Sequence, residues 1–363
     1  MSTILDVKCD NKKAYEIVIE SSLSFFSDSF ERIGKTYSNV CIITDSGVEK
    51  YYLDNIEKIF SKELNKKVFH FVFEQGEGFK NLDTVQNIYK FLVDNNFTRD
   101  DLLVALGGGV TGDITGFCAA TYLRGIDFIQ IPTSLLAQVD SSVGGKTGVD
   151  FLSYKNMVGA FYMPKLVYCS MDVLNTLDNR QFIAGLGEVI KYGYCFDIEF
   201  LNFLTNNREK ILNRDQECLE IIVKKSLEHK RRVVEEDPNE KSIRALLNFG
   251  HTIGHAVEKL KNFELLHGEC VAIGIAAASY ISMKKDLISL DDYNYVISTL
   301  ESFGLPTSVN GLEPGEITKT TYSDKKRTGS GIKFILLNKI GSGYIATDVS
   351  DIDINDAAKS ILV

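Results

Sequence analysis

"LLVALGGGVTGDITGFCAATYLRG", residues 102–125, reads as a buried strand, a glycine turn and a helix in direct succession. Residues 102–106 are apolar without alternation, as in a strand covered on both faces. Gly107, Gly109 and Gly112 then follow in the G-x-G-x-x-G spacing of dinucleotide-binding turns. There the glycines permit a tight turn, and the N–H groups of a helix N-terminus bind a pyrophosphate. Two features depart from that pattern. The turn follows the third apolar strand rather than the first, and Asp127 opens its strand where the pattern needs an acidic residue to end one. A tight turn that binds nothing is the competing reading. Asp45, ending the first strand, is the candidate for a ribose hydroxyl.

Outward from this stretch the first half repeats the same grammar. "VCIITD" (40–45), "VFHFVFE" (68–74) and "DFIQIPT" (127–133) are further apolar runs, separated by amphipathic segments such as "NLDTVQNIYKFLVDNN" (81–96). That alternation predicts a mostly parallel, doubly wound α/β sheet. From about residue 175 the periodicity turns helical, as in "QECLEIIVKKSLEHKRRVVEE" (216–236) and the small-residue run "VAIGIAAASYISMKKDL" (271–287). "FGLPTSVNGLEP" (303–314) is a loop by its glycines and prolines. The expectation is two domains, α/β over 1–174 and all-α over 175–363, with the cleft between them as the default site.

Composition narrows the function classes. Hydrophobic residues at 44% and charged residues at 25% are globular values, and a net charge of −9 argues against nucleic acid or a membrane surface as partner. Seven scattered cysteines without a C-x-x-C read as reduced thiols in the cytoplasm. No signal peptide is legible at the N-terminus, and no apolar stretch reaches the roughly 18 residues of a membrane span.

Against this acidic background "QVDSSVGGKTGVDFLSYKNMVGAF" (138–161) gathers Lys146, Lys155 and Asn156 among glycines, with Arg124 nearby in sequence. Flexible backbone beside lysines suits a phosphate or carboxylate; solvated surface lysines are the alternative. The chain has five histidines, and three of them, His251, His255 and His267, fall within "NFGHTIGHAVEKLKNFELLHGE" (248–269). His251 and His255 share a helical face, so spacing alone makes them a pair of metal ligands, with His267 or a distant carboxylate such as Glu188 in "AGLGEVIKYG" as a third. Thr252 stands where a zinc protease motif has glutamate, which argues against that class.

Taken in order, "GGGVTGD", "YLRG", "IPTSLLAQVDSSVGGKTGVD", "KNMVGAFYMP", "GLGEVIKYG", "LLNFGHTIGHAVE" and "LHGECVAIG" resemble the 3-dehydroquinate synthase family of sugar-phosphate cyclases, from about residue 40 to the "DKK" at 324–326. The resemblance implies an NAD-binding α/β domain, an α-helical domain, one divalent metal (zinc or cobalt) and a homodimer. It replaces the spacing-only pair with Glu188, His251 and His267 as metal ligands and gives His255 to the substrate. For NAD it implies Gly108, Gly109, Val110, Thr111, Gly112 and Asp113, to which Asp45 is added, with Thr133, Ser134, Lys146 and Lys155 at the nicotinamide end. Glu77, Lys80, Val173, Leu174, Asn175 and Thr176 complete that set. For the substrate it implies Arg124, Asp140, Lys146, Asn156, Lys191, Lys230, Arg244, Asn248, His255 and one of Lys325 and Lys326, here assigned to Lys326. Lys146, Asn156, Lys191, Lys230 and His255 would carry the chemistry.

The implied reaction converts a seven-carbon 2-keto acid phosphate, 3-deoxy-D-arabino-heptulosonate 7-phosphate, to 3-dehydroquinate and phosphate. It passes through transient oxidation by NAD, elimination, re-reduction, ring opening and aldol closure. Rival expectations are a cyclase acting on a substrate without a carboxylate and a metal-dependent polyol dehydrogenase. Arg244 and Asn248 favour the carboxylate substrate, and the dehydrogenase has no need of so many phosphate-suited lysines.

Overall fold

The computed structural model describes residues 2–9, 12–152, 154–237, 242–325 and 333–363. The chain divides into two compact units, Met1–Asp178 with Leu219–Arg231, and Asn179–Cys218 with Arg232–Val363.

The first unit is built on a seven-stranded sheet. Its strands are β1 (Thr3–Cys9), β2 (Lys12–Glu20), β3 (Asn39–Asp45), β4 (Lys67–Phe73), β5 (Leu102–Gly107) and β6 (Asp127–Pro132), with a later β9 (Leu166–Ser170). The order is β1-β2-β9-β6-β5-β3-β4, and every pairing except β1 with β2 is parallel. A separate antiparallel ribbon, β7 (Lys146–Phe151) with β8 (Tyr154–Phe161), packs against the helix that follows β5. The helices are α1 (Phe26–Glu31), α2 (Glu49–Lys58), α3 (Leu82–Asp94) and α4 (Gly109–Thr121).

The unbroken apolar runs have a simple cause. Val40 and Ile42 of β3 enter one buried cluster while Cys41 and Ile43 enter another, so successive side chains point into two separate cores. In α3, Asn81 caps the first turn by accepting from the Thr84 N–H at 3.0 Å, and Val85, Ile88 and Leu92 form its buried stripe. The chain runs from β3 to β4 on one side, then returns to place β5 on the other side of β3. That reversal makes a crevice at the carboxyl ends of β3 and β5, the place where open α/β sheets bind ligands. The glycine turn therefore follows the third strand of the run yet still sits at the switch point.

The second unit is mainly helical: α5 (Asn179–Phe196), α6 (Ile198–Asn206), α7 (Arg208–Leu212), the ends of α8 (Gln216–Glu236), α9 (His251–Leu260), α10 (His267–Lys284), α11 (Leu290–Ser302), α12 (Pro314–Lys325) and α13 (Asp351–Ser360). It also carries a hairpin that helical periodicity did not show, β10 (Phe334–Lys339) with β11 (Ser342–Ala346), in which the Leu337 N–H donates to the Ser282 hydroxyl on α10 at 3.0 Å.

Glycines decide how α5, α9 and α10 meet. A Cβ on Gly268 would lie 1.8 Å from the Ala184 carbonyl oxygen of α5, and one on Gly274 would lie 1.8 Å from the Gly250 oxygen before α9. Gly254 of α9 in turn packs on the Cys270 carbonyl, 2.6 Å from where its Cβ would be. Backbone thus meets backbone at each contact, and only glycine allows it.

Candidate active site

In the first unit, Gly108 precedes α4 with no side-chain cap, and no acidic residue occupies the first turn. Such a helix start presents unpaired N–H groups and the positive end of its dipole, which suits a phosphate. Gly107 and Gly112 are fixed by close approach: Cβ atoms there would lie 2.4 Å from the Thr111 hydroxyl and 2.7 Å from Gln130 Oε1 of β6. Asp45, at the end of β3, accepts from the Gly47 and Val48 N–H groups at 3.0 and 3.2 Å and from the Thr111 hydroxyl at 3.0 Å. Its carboxylate thereby ties the end of β3 to the glycine turn.

Asp113, one turn into α4, pairs with Lys80 at 2.6 Å, and the Lys80 ammonium also donates to Asn156 Oδ1 at 2.6 Å. Lys80 is only 5% exposed. Burial disfavours its charge, but Asp113 and Glu77 outweigh burial and hold its pKa above the ordinary value. Lys155 pairs with Glu77 at 3.3 Å. Asp113, Lys146, Thr147, Asn156, Met157 and Phe161 line a cavity of about 330 Å³ with the ribbon glycines. Thr133 donates its N–H to the Gly107 carbonyl at 2.9 Å, and the Ser134 hydroxyl caps Ala137 at 3.2 Å. Lys230, on the part of α8 in this unit, pairs with Asp140 at 2.9 Å. Val173 and Leu174 are fully buried, whereas Asn175 and Thr176 are exposed. Arg124 is exposed at the far end of α4 from the glycine turn, with φ at +67°, and within one chain it does not join this cluster.

In the second unit, Glu188 and Lys191 stand one turn apart on α5, each 1% exposed, with ammonium against carboxylate. His251 and His255 come from α9 and His267 opens α10, with ring centroids 5.2 to 5.7 Å apart. His251 Nε2 and His267 Nε2 each lie 3.4 Å from the same Glu188 Oε1. His251 Nδ1 faces the Phe249 carbonyl at 3.1 Å, which directs its N–H there and leaves the Nε2 lone pair for the centre. His267 Nδ1 faces Glu258 at 3.6 Å. Arg244 is 3% exposed, and its backbone N–H is held by Asp237 at 3.1 Å. Asn248 ends the same 3-10 turn, just before α9. Lys326 lies outside the described residues.

The donor set fits a divalent metal. Tetrahedral bonds of about 2.0–2.1 Å place neighbouring ligand atoms about 3.3 Å apart, close to the separation of each imidazole nitrogen from Oε1. Among the described residues, neither Glu188 oxygen finds a well-directed hydrogen bond despite complete burial. Burial pushes the Glu188 carboxyl up, but Lys191 and His251 together hold it well below the usual range. Burial pushes His251 down to about 4, against the pull of Glu188, so it is neutral at pH 7 and free to ligate. His267 goes the other way. Burial opposes its charge, but Glu188 and Glu258 outweigh burial and raise it to about 9. The three imidazoles can also place ligand atoms within 4.8 Å of one another, so His255 stands at the same centre as His251 and His267.

The family profile for the 3-dehydroquinate synthase N-terminal region matches residues 70–184, and that for its C-terminal region matches residues 185–327. The chain belongs to the 3-dehydroquinate synthase family. A 3-dehydroquinate synthase of Acetivibrio thermocellus is 46% identical over 336 residues, covering 91% of this chain and 93% of its own. Among solved structures, a 2-deoxy-scyllo-inosose synthase complexed with carbaglucose-6-phosphate, NAD+ and Co2+ superposes with a TM-score of 0.87 at 26% identity, covering 99% of this chain and all of its own. A 2-epi-5-epi-valiolone synthase from Streptomyces hygroscopicus, with NAD+ and Zn2+ bound, gives 0.89 at 23% identity over 98% and 99% of the two chains, which speaks for the fold.

Reading the 3-dehydroquinate synthase motifs in sequence leaves out three groups that the structure brings in. Glu258 lies behind His267, and its place seven residues after His251 on the same helical face was a usable signal. Arg180 grips Glu269 at 2.7 and 2.8 Å, and Glu269 accepts the Leu266 N–H at 2.7 Å, so the start of α5 is clamped to the turn that carries His267. The third is Asp150, whose carboxylate accepts the N–H of the cavity-lining Asn156 at 2.7 Å. The clamp and Asp150 depend on contacts that no local spacing encodes.

Proposed function

We propose that this chain converts 3-deoxy-D-arabino-heptulosonate 7-phosphate to 3-dehydroquinate and phosphate, in the shikimate route to aromatic amino acids. The observation that carries the reading is the convergence of two imidazoles on buried Glu188 beside buried Lys191, in a chain that shares nearly half its residues with a 3-dehydroquinate synthase. When bound, NAD takes and returns a hydride, and a zinc or cobalt ion polarises the oxygen being oxidised.

The chain's own groups divide the remaining work. Glu188, His251 and His267 hold the metal. Gly108 to Asp113, Thr133, Ser134 and Lys155 cradle NAD, with Lys80 and Glu77 behind them. Lys146 and Asn156 meet the substrate phosphate at the ribbon cavity. Arg244 offers a planar fork to the carboxylate, which supports the acid substrate over sugar phosphates without one. Lys191, Lys230, Asp140, Asn248 and His255 complete the substrate contacts and proton handling.

We place the working enzyme in the cytoplasm as a homodimer. Supporting this, all seven cysteines are free, and no helix among the described residues is long and apolar enough to cross a membrane. The β7–β8 ribbon exposes Phe151, Leu152, Tyr154 and Phe161, an apolar surface that a second copy would cover.

A substrate panel tests the reading. The heptulosonate phosphate should release phosphate and give a carbocyclic product by NMR, while glucose 6-phosphate and sedoheptulose 7-phosphate should give neither. Turnover of either neutral sugar phosphate in place of the acid would overturn it.

A further inference from the structure

The β7–β8 ribbon is irregular at one point. Val149 pairs with Val158 and Phe151 with Tyr154, so β8 places three residues, 155–157, opposite Asp150 alone. Bulges of this kind re-aim a side chain and leave backbone groups without ladder partners. The middle residue of the bulge is Asn156, a non-glycine residue held at φ +51°. Its N–H donates to the Asp150 carboxylate at 2.7 Å, while the Asp150 N–H donates to the Lys80 carbonyl at 2.8 Å. Asp150 thus replaces the missing ladder bond at the strained residue and joins the ribbon to the turn that carries Lys80.

The side chain of Asn156 is oriented from a second direction. The Lys80 ammonium can only donate, so its 2.6 Å bond settles which end of the Asn156 amide is oxygen. The Nδ2 end then remains as the donor toward the cavity that Asn156 lines with Lys146.

We propose that Asp150 is a positioning residue for phosphate recognition. It holds the backbone of Asn156 in the left-handed conformation, so that the amide, its sense fixed by Lys80, presents an N–H donor to the substrate's phosphate. The inference rests on the reading of Asn156 as a phosphate contact.

Inorganic phosphate itself is the probe, measured by titration calorimetry on the NAD- and zinc-loaded protein. Asp150→Ala should weaken phosphate binding on the order of tenfold or more, as loss of a charge-assisted hydrogen bond does. Asp150→Asn keeps an acceptor oxygen and should stay within about threefold. In an Asn156→Gly background, where the amide is gone and positive φ is no strain, Asp150→Ala should change affinity less than about twofold. A loss that persists undiminished in that background, or an asparagine variant as impaired as the alanine, would overturn the proposal. So would an Asp150→Ala protein with a lowered Tm and unchanged phosphate affinity. If phosphate binding follows the expected pattern but the heptulosonate phosphate is not turned over, the substrate reading fails and the role of Asp150 stands.

Discussion

Gly268→Ala probes how the metal centre is assembled. Gly268 follows His267 and packs against Ala184, one turn before Glu188 on α5. The new Cβ would lie 1.8 Å from the Ala184 oxygen, whereas ordinary contact begins at 3.4 Å. The two backbones must therefore separate by up to the difference, 1.6 Å, because neither end of the contact is a flexible side chain. Overpacking of this kind costs about 1–3 kcal/mol, offset by up to about 1 kcal/mol from the better helix propensity of alanine. The net loss of stability is small, and Tm should fall only a few degrees. Metal binding is far less forgiving, since ligand distances hold within about 0.2 Å. The 3.4 Å spacing of His267 Nε2 from Glu188 Oε1 would open well beyond that. Zinc affinity, measured by competition with a chromogenic chelator, should drop on the order of 100-fold or more while the protein stays folded. Gly315→Ala is the control, because nothing lies within 4 Å of its Cβ position. Zinc affinity within threefold of the unaltered protein in Gly268→Ala would refute the claim that backbone contact between α5 and α10 sets the site.

Other outcomes follow from the buried charges. His267 is held near 9 without metal, so zinc binding must displace its proton, and affinity should rise about tenfold per pH unit from pH 6 to about 9; a flat profile would contradict the pairing with Glu188 and Glu258. Lys80→Met leaves the partly buried Asp113 without its partner and should cost about 1–3 kcal/mol in denaturant unfolding, together with weakened NAD binding; unchanged unfolding would contradict it. Asp101, 1% exposed, accepts from the Asn39 N–H and Nδ2 at 2.9 Å and from the Thr98 N–H at 2.7 Å. Burial raises its carboxyl, but these hydrogen bonds prevail and hold its pKa below the ordinary value. Its stabilising effect is therefore present above the unfolded pKa of about 4 and lost as pH falls through the folded value. Asp101→Ala should cost about 2–4 kcal/mol at pH 7 and progressively less below pH 4, which unfolding curves at several pH values would check.

What the sequence made legible follows the same physics. β3, β5 and β6 could be seen because burial on both faces demands unbroken apolar runs, as Val40 to Ile43 show, whereas the edge strand β4 is apolar though only partly buried. The β7–β8 ribbon could not. Its residues mix glycine, lysine and exposed apolar side chains, its bulge breaks the alternation, and it turns through Leu152 at positive φ. The β10–β11 hairpin was hidden because Phe334 to Leu337 are all buried, which in a short run looks the same as helix core. At the site, helical spacing alone pairs His251 with His255, since it can compare only residues on one helix. Glu188 enters from α5 by way of the Gly268–Ala184 contact, which no local pattern reports. Lys80, Asp113 and Asn156 meet across 76 residues of chain, and only the fold brings them within 2.6 Å.

The central claim is an internal redox cycle at a metal and NAD site. Its most direct measurement is inorganic phosphate released from 3-deoxy-D-arabino-heptulosonate 7-phosphate by zinc-loaded protein given less NAD+ than enzyme turnovers. The account predicts many phosphates per NAD+ with no accumulating NADH. NADH rising one for one with substrate consumed, or no phosphate at all, would contradict it.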